Sequence, residues 1–186
     1  MAQPTKEQIQ ASLLGVIDTY YTGGLTAYLE TCEAPGKVRA YLGISDIQYK
    51  HQMITVALPK DYDLTKLHHK MCGLGYHSRT GVPKKWLIEA IASVEYFSKT
   101  HPDGGNLHIH ILKKGNLSKS KVIRDLAAYY RVEPNFIDCK AGTYQEDYNN
   151  RRNYILGQKQ LKDKIEYNIL DKEWRKENGL MDIYEY

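Results

Sequence analysis

Apolar residues recur along the chain with two periods, and the switches between those periods mark out the elements. Thr5-Lys6-Glu7-Gln8 has the composition of a capping box, with Thr5 as N-cap and Gln8 reaching back, ahead of Leu13, Leu14 and Ile17; this predicts a first helix. A second short helix is expected from about Leu25 to Cys32, then a break at Pro35-Gly36 and a strand over Val38 to Ile44. Met53 to Leu58 is rich in β-formers and stops at Pro59, as a buried strand ended by a turn would. Asp63 then opens a helix expected to run through Cys72. From Trp86 to Phe97, the residues Trp86, Ile88, Ala90, Ala92 and Val94 alternate with Leu87, Glu89, Ile91, Ser93 and Glu95, which is strand periodicity with one apolar face. His101 to Asn106 is dense in turn formers, so Leu107 to Leu112 should return as the antiparallel partner in a hairpin with a wide tip. Ser118 to Tyr130 reads as an amphipathic helix and Asn135 to Cys139 as a short strand. Glu146 to Lys159 reads as a helix rich in Tyr, Asn and Arg, and Gln160 to Asn178 as a charged helix.

This order predicts an α+β fold, a central antiparallel sheet flanked by helices. Residues 1–50 are expected to form a helical extension with a first strand, 51–160 the core, and 161–186 a charged C-terminal helix. With 186 residues and 42% apolar content the chain can bury a proper core. A net charge of +4 permits a polyanionic partner without demanding one. Cys32, Cys72 and Cys139 are odd in number and form no CxxC pair, which argues against a disulfide framework or a Cys-rich zinc site and for a reducing compartment. No apolar run approaches the roughly 20 residues of a membrane span, and the polar start lacks a signal-peptide core. A soluble, intracellular protein without a membrane partner is therefore expected. Sixteen tyrosines stand against two phenylalanines; half-buried packing and base stacking both suit such rings.

Chemistry concentrates around the hairpin. His108 and His110 lie two apart on an expected strand, so both imidazoles share one face while Leu107, Ile109 and Ile111 take the other. Glu95, on the paired strand, can complete a three-ligand site with positions left for water and a phosphate oxygen. Mixed imidazole and carboxylate ligation suits Mg²⁺ or Mn²⁺ as a Lewis acid, and imidazole also accepts Zn²⁺. The later helix offers Tyr148 and Tyr154 as nucleophiles, among Arg151, Arg152 and Lys159, whose charge can compensate a phosphate.

Three stretches in order carry a family likeness: Ile54-Thr55-Val56-Ala57-Leu58-Pro59, Leu107-His108-Ile109-His110-Ile111-Leu112, and Arg152-Asn153-Tyr154-Ile155-Leu156-Gly157-Gln158-Lys159. Together they resemble the HUH endonuclease domain of replication initiator (Rep) proteins of circular single-stranded DNA viruses and related rolling-circle plasmids. The resemblance covers roughly Met53 to Lys159 and implies an RRM-related sheet with the histidines on a middle strand. It also implies metal ligands His108, His110 and Glu95, catalytic Tyr154 and Lys159, and DNA contacts at Thr55, Arg151 and Arg152. The implied activity is nicking and rejoining of single-stranded DNA at an origin stem-loop through a 5′-phosphotyrosine, with Mn²⁺ or Mg²⁺. The family's tyrosine motif is commonly Tyr-x-x-Lys, whereas Gly157 stands at that position here and Lys159 two residues later. Host replication proteins or a helicase domain are implied partners. The chain contains no Walker-type GxxxxGK(S/T) stretch, so it reads as the nuclease part or a short initiator. The implied compartment is the host nucleus for a eukaryotic virus and otherwise the cytoplasm.

Other readings use the same residues differently. His68, His69, Cys72 and His77 make a second zinc candidate, and His101 an alternative ligand on the hairpin loop. A non-catalytic single-stranded nucleic-acid-binding module would use the sheet and the tyrosines to stack bases. A zinc-dependent hydrolase would use water as its nucleophile.

Overall fold

The computed structural model describes residues 5–21, 24–32, 38, 41–42, 50–76, 87, 89–115, 117–159 and 161–186. The chain divides into two compact units, Met1–Gln48 and Tyr49–Tyr186. In the first, the capping box at Thr5 and Gln8 is formed in both directions and opens helix α1 (Lys6–Tyr20). Of the apolar positions that suggested this helix, Ile17 is buried, Leu14 half-buried and Leu13 exposed. Helix α2 spans Gly24–Glu30. The expected strand from Val38 is not borne out where the structure describes it. Val38 and Tyr41 are helical and the Leu42 amide donates to the Val38 carbonyl at 2.9 Å, while the rest of that stretch lies outside the described residues. Short apolar runs do not separate strand from helix by pattern alone.

The second unit is built on a five-stranded antiparallel sheet in the order β4-β1-β3-β2-β5. Its strands are β1 (His51–Ala57), β2 (Ala90–Glu95), β3 (His108–Lys114), β4 (Ile137–Gly142) and β5 (Tyr184–Glu185). The fold is therefore α+β, and the hairpin strand β3 is the middle one. Helices α3 (Leu64–Gly73), capped by the Asp63 carboxylate on the Lys66 amide, and α4 (Lys119–Tyr130) cover one face. There Ile54, Val56, Ala92, Val94, Ile109 and Ile111 pack with Leu67, Met71, Val122 and Leu126 in one core. Each fully buried aliphatic side chain contributes about 1.5–3 kcal/mol. The other face is closed by α5 (Gln145–Ile155), whose Ile155, flanked by Tyr148 and Tyr154, packs on Met53, Ile91 and Leu112. Because both faces are covered, all six residues of β2 are buried and not just one alternating set.

Three boundaries differ from expectation. β2 begins at Ala90, after Glu89 at φ 60°, a left-handed conformation that ends regular pairing; Trp86 and Ile88 lie outside the described residues. A 3₁₀ turn at Pro134–Phe136 delays β4 to Ile137, since proline has no amide to give a sheet ladder. The tyrosine helix stops at Ile155 and does not reach Lys159. Gly157 adopts φ 79°, and a Cβ there would come within 2.7 Å of the Asn168 side chain. The Gln158 amide then donates back to the Asn153 carbonyl at 2.8 Å, so Lys159 returns beside Tyr154. The last residues belong to this unit: α6 (Lys162–Glu177) leads to β5, which pairs with β2 through Ala92 and Tyr184.

Candidate metal centre

Register sets the site. His108 lies directly opposite Glu95 on β2, and His110 opposite Ser93, so one rung of the antiparallel pair separates the two histidines. Glu95 Oε2 is 3.4 Å from His108 Nε2 and 3.6 Å from His110 Nε2. Among the described residues, Glu95, His108 and His110 are the one group of three or more such side chains whose ligand atoms lie within 4.8 Å of one another, and this group can hold a metal ion.

The donor set fits a cation because the histidines are held from behind. His108 Nδ1 donates to the Asn106 carbonyl at 2.6 Å, and since a carbonyl only accepts, the proton sits on Nδ1 and Nε2 faces the cluster. His110 Nδ1 is 3.1 Å from Thr55 Oγ1 on β1, which suits the same tautomer. Such outer partners orient ligating imidazoles. Burial lowers the basicity of His110 and keeps its imidazole neutral, the form a metal requires. Burial opposes charge on His108 as well, but hydrogen bonding and charge from Glu95 outweigh it and raise that pKa.

Glu95 is the hub. Its other oxygen, Oε1, accepts from Lys159 Nζ at 2.9 Å, and the Lys159 side chain is 3% exposed. The Tyr154 hydroxyl donates to Glu95 Oε2 at 3.3 Å. Burial acts to raise the Glu95 carboxyl, yet His108, His110 and Lys159 outweigh it and hold the group well below the ordinary carboxylate range. Tyr154 moves the opposite way: burial, then the Glu95 charge, push its phenol well above the usual value near 10. Lys159 Nζ lies 4.5 Å and Lys164 Nζ 5.1 Å from the Tyr154 ring centre, and the His110 ring meets that ring edge-on at 5.5 Å. A cleft of about 340 Å³ opens over these groups, with Lys99, Lys159 and Lys164 among its lining residues. A cleft lined by the three clustered ligands and by three lysines suits a phosphate bound to a cation.

The hairpin loop completes the frame. Gly104, at φ 91°, lies where any Cβ would collide with the Tyr96 ring, and the Asn106 amide donates to the Tyr96 carbonyl at 3.0 Å, placing the carbonyl that orients His108. From α6, the fully buried Asp171 accepts the Tyr96 and Phe97 amides on Oδ1 at 2.7 and 3.0 Å, and Arg175 donates to the Val94 carbonyl at 2.7 Å. The backbone on both sides of Glu95 is thus tied to one helix. Asp171→Ala removes the acceptor of two amides and is expected to cost about 2 kcal/mol of stability, read from the denaturant midpoint. Asp171→Asn keeps an acceptor for the same amides and should cost less; equal destabilisation by the two variants would show that the charge, not these hydrogen bonds, matters.

The other sequence candidates fall elsewhere. Arg151 is engaged by Asp147 at 2.8 Å and the Lys140 carbonyl at 3.0 Å, so Lys159 rather than Arg151 meets Glu95. Arg152 is exposed. Tyr148 packs edge-on against His51 at 5.5 Å and is not in the cluster. Thr55 contacts His110 directly. His68 pairs with Cys72 at 3.6 Å and with the Tyr184 hydroxyl at 3.1 Å, but no third described ligand joins them, and His77 lies outside the described residues. His101 binds Ser98 and Thr100 on the exposed loop and is not one of the clustered ligands. Asn106 was read only as the end of the hairpin turn, not as the carbonyl that orients His108 two residues on; Lys164 and Asp171 escaped the sequence reading because nothing in local pattern marks a residue that acts on a distant neighbour. Among the described residues no helix is long and apolar enough to cross a membrane. No family profile, curated protein or solved structure matches this chain.

Proposed function

We propose that this chain is a divalent-metal-dependent single-strand DNA nickase that forms a covalent tyrosyl intermediate, as the sequence resemblance implies. The observation that carries the reading is the convergence of the Tyr154 hydroxyl, the Lys159 ammonium and two oriented imidazoles on the single carboxylate of Glu95. A Mn²⁺ or Mg²⁺ ion held by Glu95, His108 and His110 would supply the Lewis acidity that polarises the scissile phosphate.

The residues do the rest. Tyr154 Oη forms the bond to phosphorus and the bond from phosphorus to O3′ breaks, leaving the phosphate joined to Tyr154 and to the 5′ carbon. The phenol proton leaves to solvent and the 3′ oxygen takes one up. Lys159 and Lys164 offset the negative charge that builds on the phosphate oxygens. Burial keeps the site preorganised, and Thr55 and Asn106 keep both imidazoles aimed at it. The phosphotyrosine ester conserves the energy of the original linkage, so a 3′-hydroxyl can reverse the step and rejoin strands. An origin stem-loop is the proposed substrate, and a free 3′-end able to prime rolling-circle synthesis the proposed product.

The test is incubation of the protein with labelled single-stranded stem-loop DNA and Mn²⁺. A denaturing-gel shift of protein by attached DNA, abolished by EDTA, is expected. Cleavage leaving free 5′-phosphates without an adduct would point to water as nucleophile, and binding without cleavage to a non-catalytic module.

A further inference from the structure

Tyr154 lines two clefts. One is the metal-ligand cleft, and the other is a groove of about 350 Å³ that shares Lys159 and Lys164 with it as well. The two differ in chemistry. The second groove holds none of the clustered ligands, but three side-chain amides, Asn150, Asn153 and Gln158, and the exposed apolar Leu161, 62% accessible. All three amides are on exposed residues.

The arrangement follows from the chain. Asn150 precedes Tyr154 by one helical turn and so shares its side of α5, and Asn153, the residue before Tyr154, lines the same groove. The left-handed turn at Gly157 and the Gln158-to-Asn153 backbone bond return Gln158 to the end of the helix. Leu161 then introduces α6.

We propose that this groove binds the nucleobase next to the phosphate that Tyr154 attacks and selects its identity. This rests on the nicking reading for the position of the phosphate and deepens it. A phosphate offers only acceptors and is met by ammoniums. A base edge offers donors and acceptors side by side, which a carboxamide matches with one group of each kind. Three carboxamides with an apolar surface at their border form a surface for a base edge and a base face together. With the phosphate over the lysines shared by both clefts, the strand crosses Tyr154 and the adjoining nucleotide enters the amide groove. The volume falls within the roughly 300–1,000 Å³ typical of small-ligand sites.

The experiment selects single-stranded oligonucleotides from a random library on Tyr154→Phe protein in Mn²⁺, which holds DNA without consuming it, and sequences the bound fraction. In parallel, DNA covalently trapped by the unmodified protein is sequenced around the attached end. One position is expected to show a base preference, reduced roughly tenfold when Asn150→Ala and Asn153→Ala are added. Asn153→Asp, which can only accept, should move the preference toward cytosine. Exposed positions tolerate these changes, and the fold is checked by thermal melting. Unchanged preference in all variants, or none in the parent, overturns the proposal. If the unmodified protein forms adducts with a preference the variants do not alter, the nicking reading stands and the groove assignment falls. If no adduct forms but the variants still relax the bound preference, base selection by the groove stands, and the nicking reading falls together with the phosphate position taken from it.

Discussion

Tyr154→Phe is expected to abolish the protein–DNA adduct and to lower strand cleavage by at least on the order of 10³-fold. The change removes one oxygen. The ring keeps its edge contact with His110 at 5.5 Å and its place below Lys159 at 4.5 Å, so the cleft retains its shape. The hydroxyl's 3.3 Å hydrogen bond to Glu95 goes with the oxygen and is worth about 1 kcal/mol, so the melting temperature should move little. Tyr148→Phe is the matched control on the same helix: its ring sits near His51 and Lys114, and nicking should persist. Nicking is likewise expected to stop when EDTA removes the metal. Without a cation, burial and the neighbouring Glu95 charge both hold the phenol protonated, the reverse of what a nucleophile needs. An adduct that survives Tyr154→Phe would assign the nucleophile to another residue, and cleavage that survives without an adduct would assign it to water.

Glu95→Ala should act on stability and on metal binding at once. It leaves the Lys159 ammonium, 3% exposed, without the carboxylate 2.9 Å away, and stranding one member of a buried pair costs about 3–5 kcal/mol. The denaturant midpoint measured with EDTA reports that loss. Mn²⁺ affinity, measured by calorimetry, should fall by at least about a hundredfold, since even the outer partners of metal ligands are worth about 10- to 100-fold. Glu95→Ala with Lys159→Met separates the effects: removing the stranded ammonium should restore much of the stability but none of the affinity. The sign of the pH dependence follows from the direction of the Glu95 shift. Its pKa is lower in the folded chain, so its contribution is present above the ordinary glutamate value of about 4.3 and declines as pH falls below it. In Glu95→Ala that part of the acid sensitivity disappears. A variant as stable as the parent, binding Mn²⁺ equally well, would remove Glu95 from the centre of the site.

Much of the sheet was legible because strand alternation and turn chemistry are local. The period of two across His108 to Leu112 put both histidines on one face, and the glycines at 104 and 105 announced the hairpin that sets Glu95 opposite His108. Thr5 and Gln8 formed the capping box their spacing suggested. Val38 to Ile44 misled for the same local reason: a short apolar stretch satisfies two periods, and of its described residues Val38 and Tyr41 are helical and none is in a strand.

Sequence by itself therefore determined the elements that carry a strong period and the pair of imidazoles that period aligns. Tertiary structure decided which distant groups meet them. Lys159 reaches Glu95, 64 residues away, because Gly157 ends α5 in a left-handed turn that no helical spacing foretells. Asp171 reaches the amides after Glu95 across 75 and 74 residues because α6 returns to the end of β2. Tyr154, which the resemblance already favoured over Tyr148, meets the carboxylate, whereas Tyr148 lies against His51, a contact that no local pattern announced. Periodicity records which side of an element is buried, whereas the choice of partner depends on how buried faces from separate parts of the chain fit together.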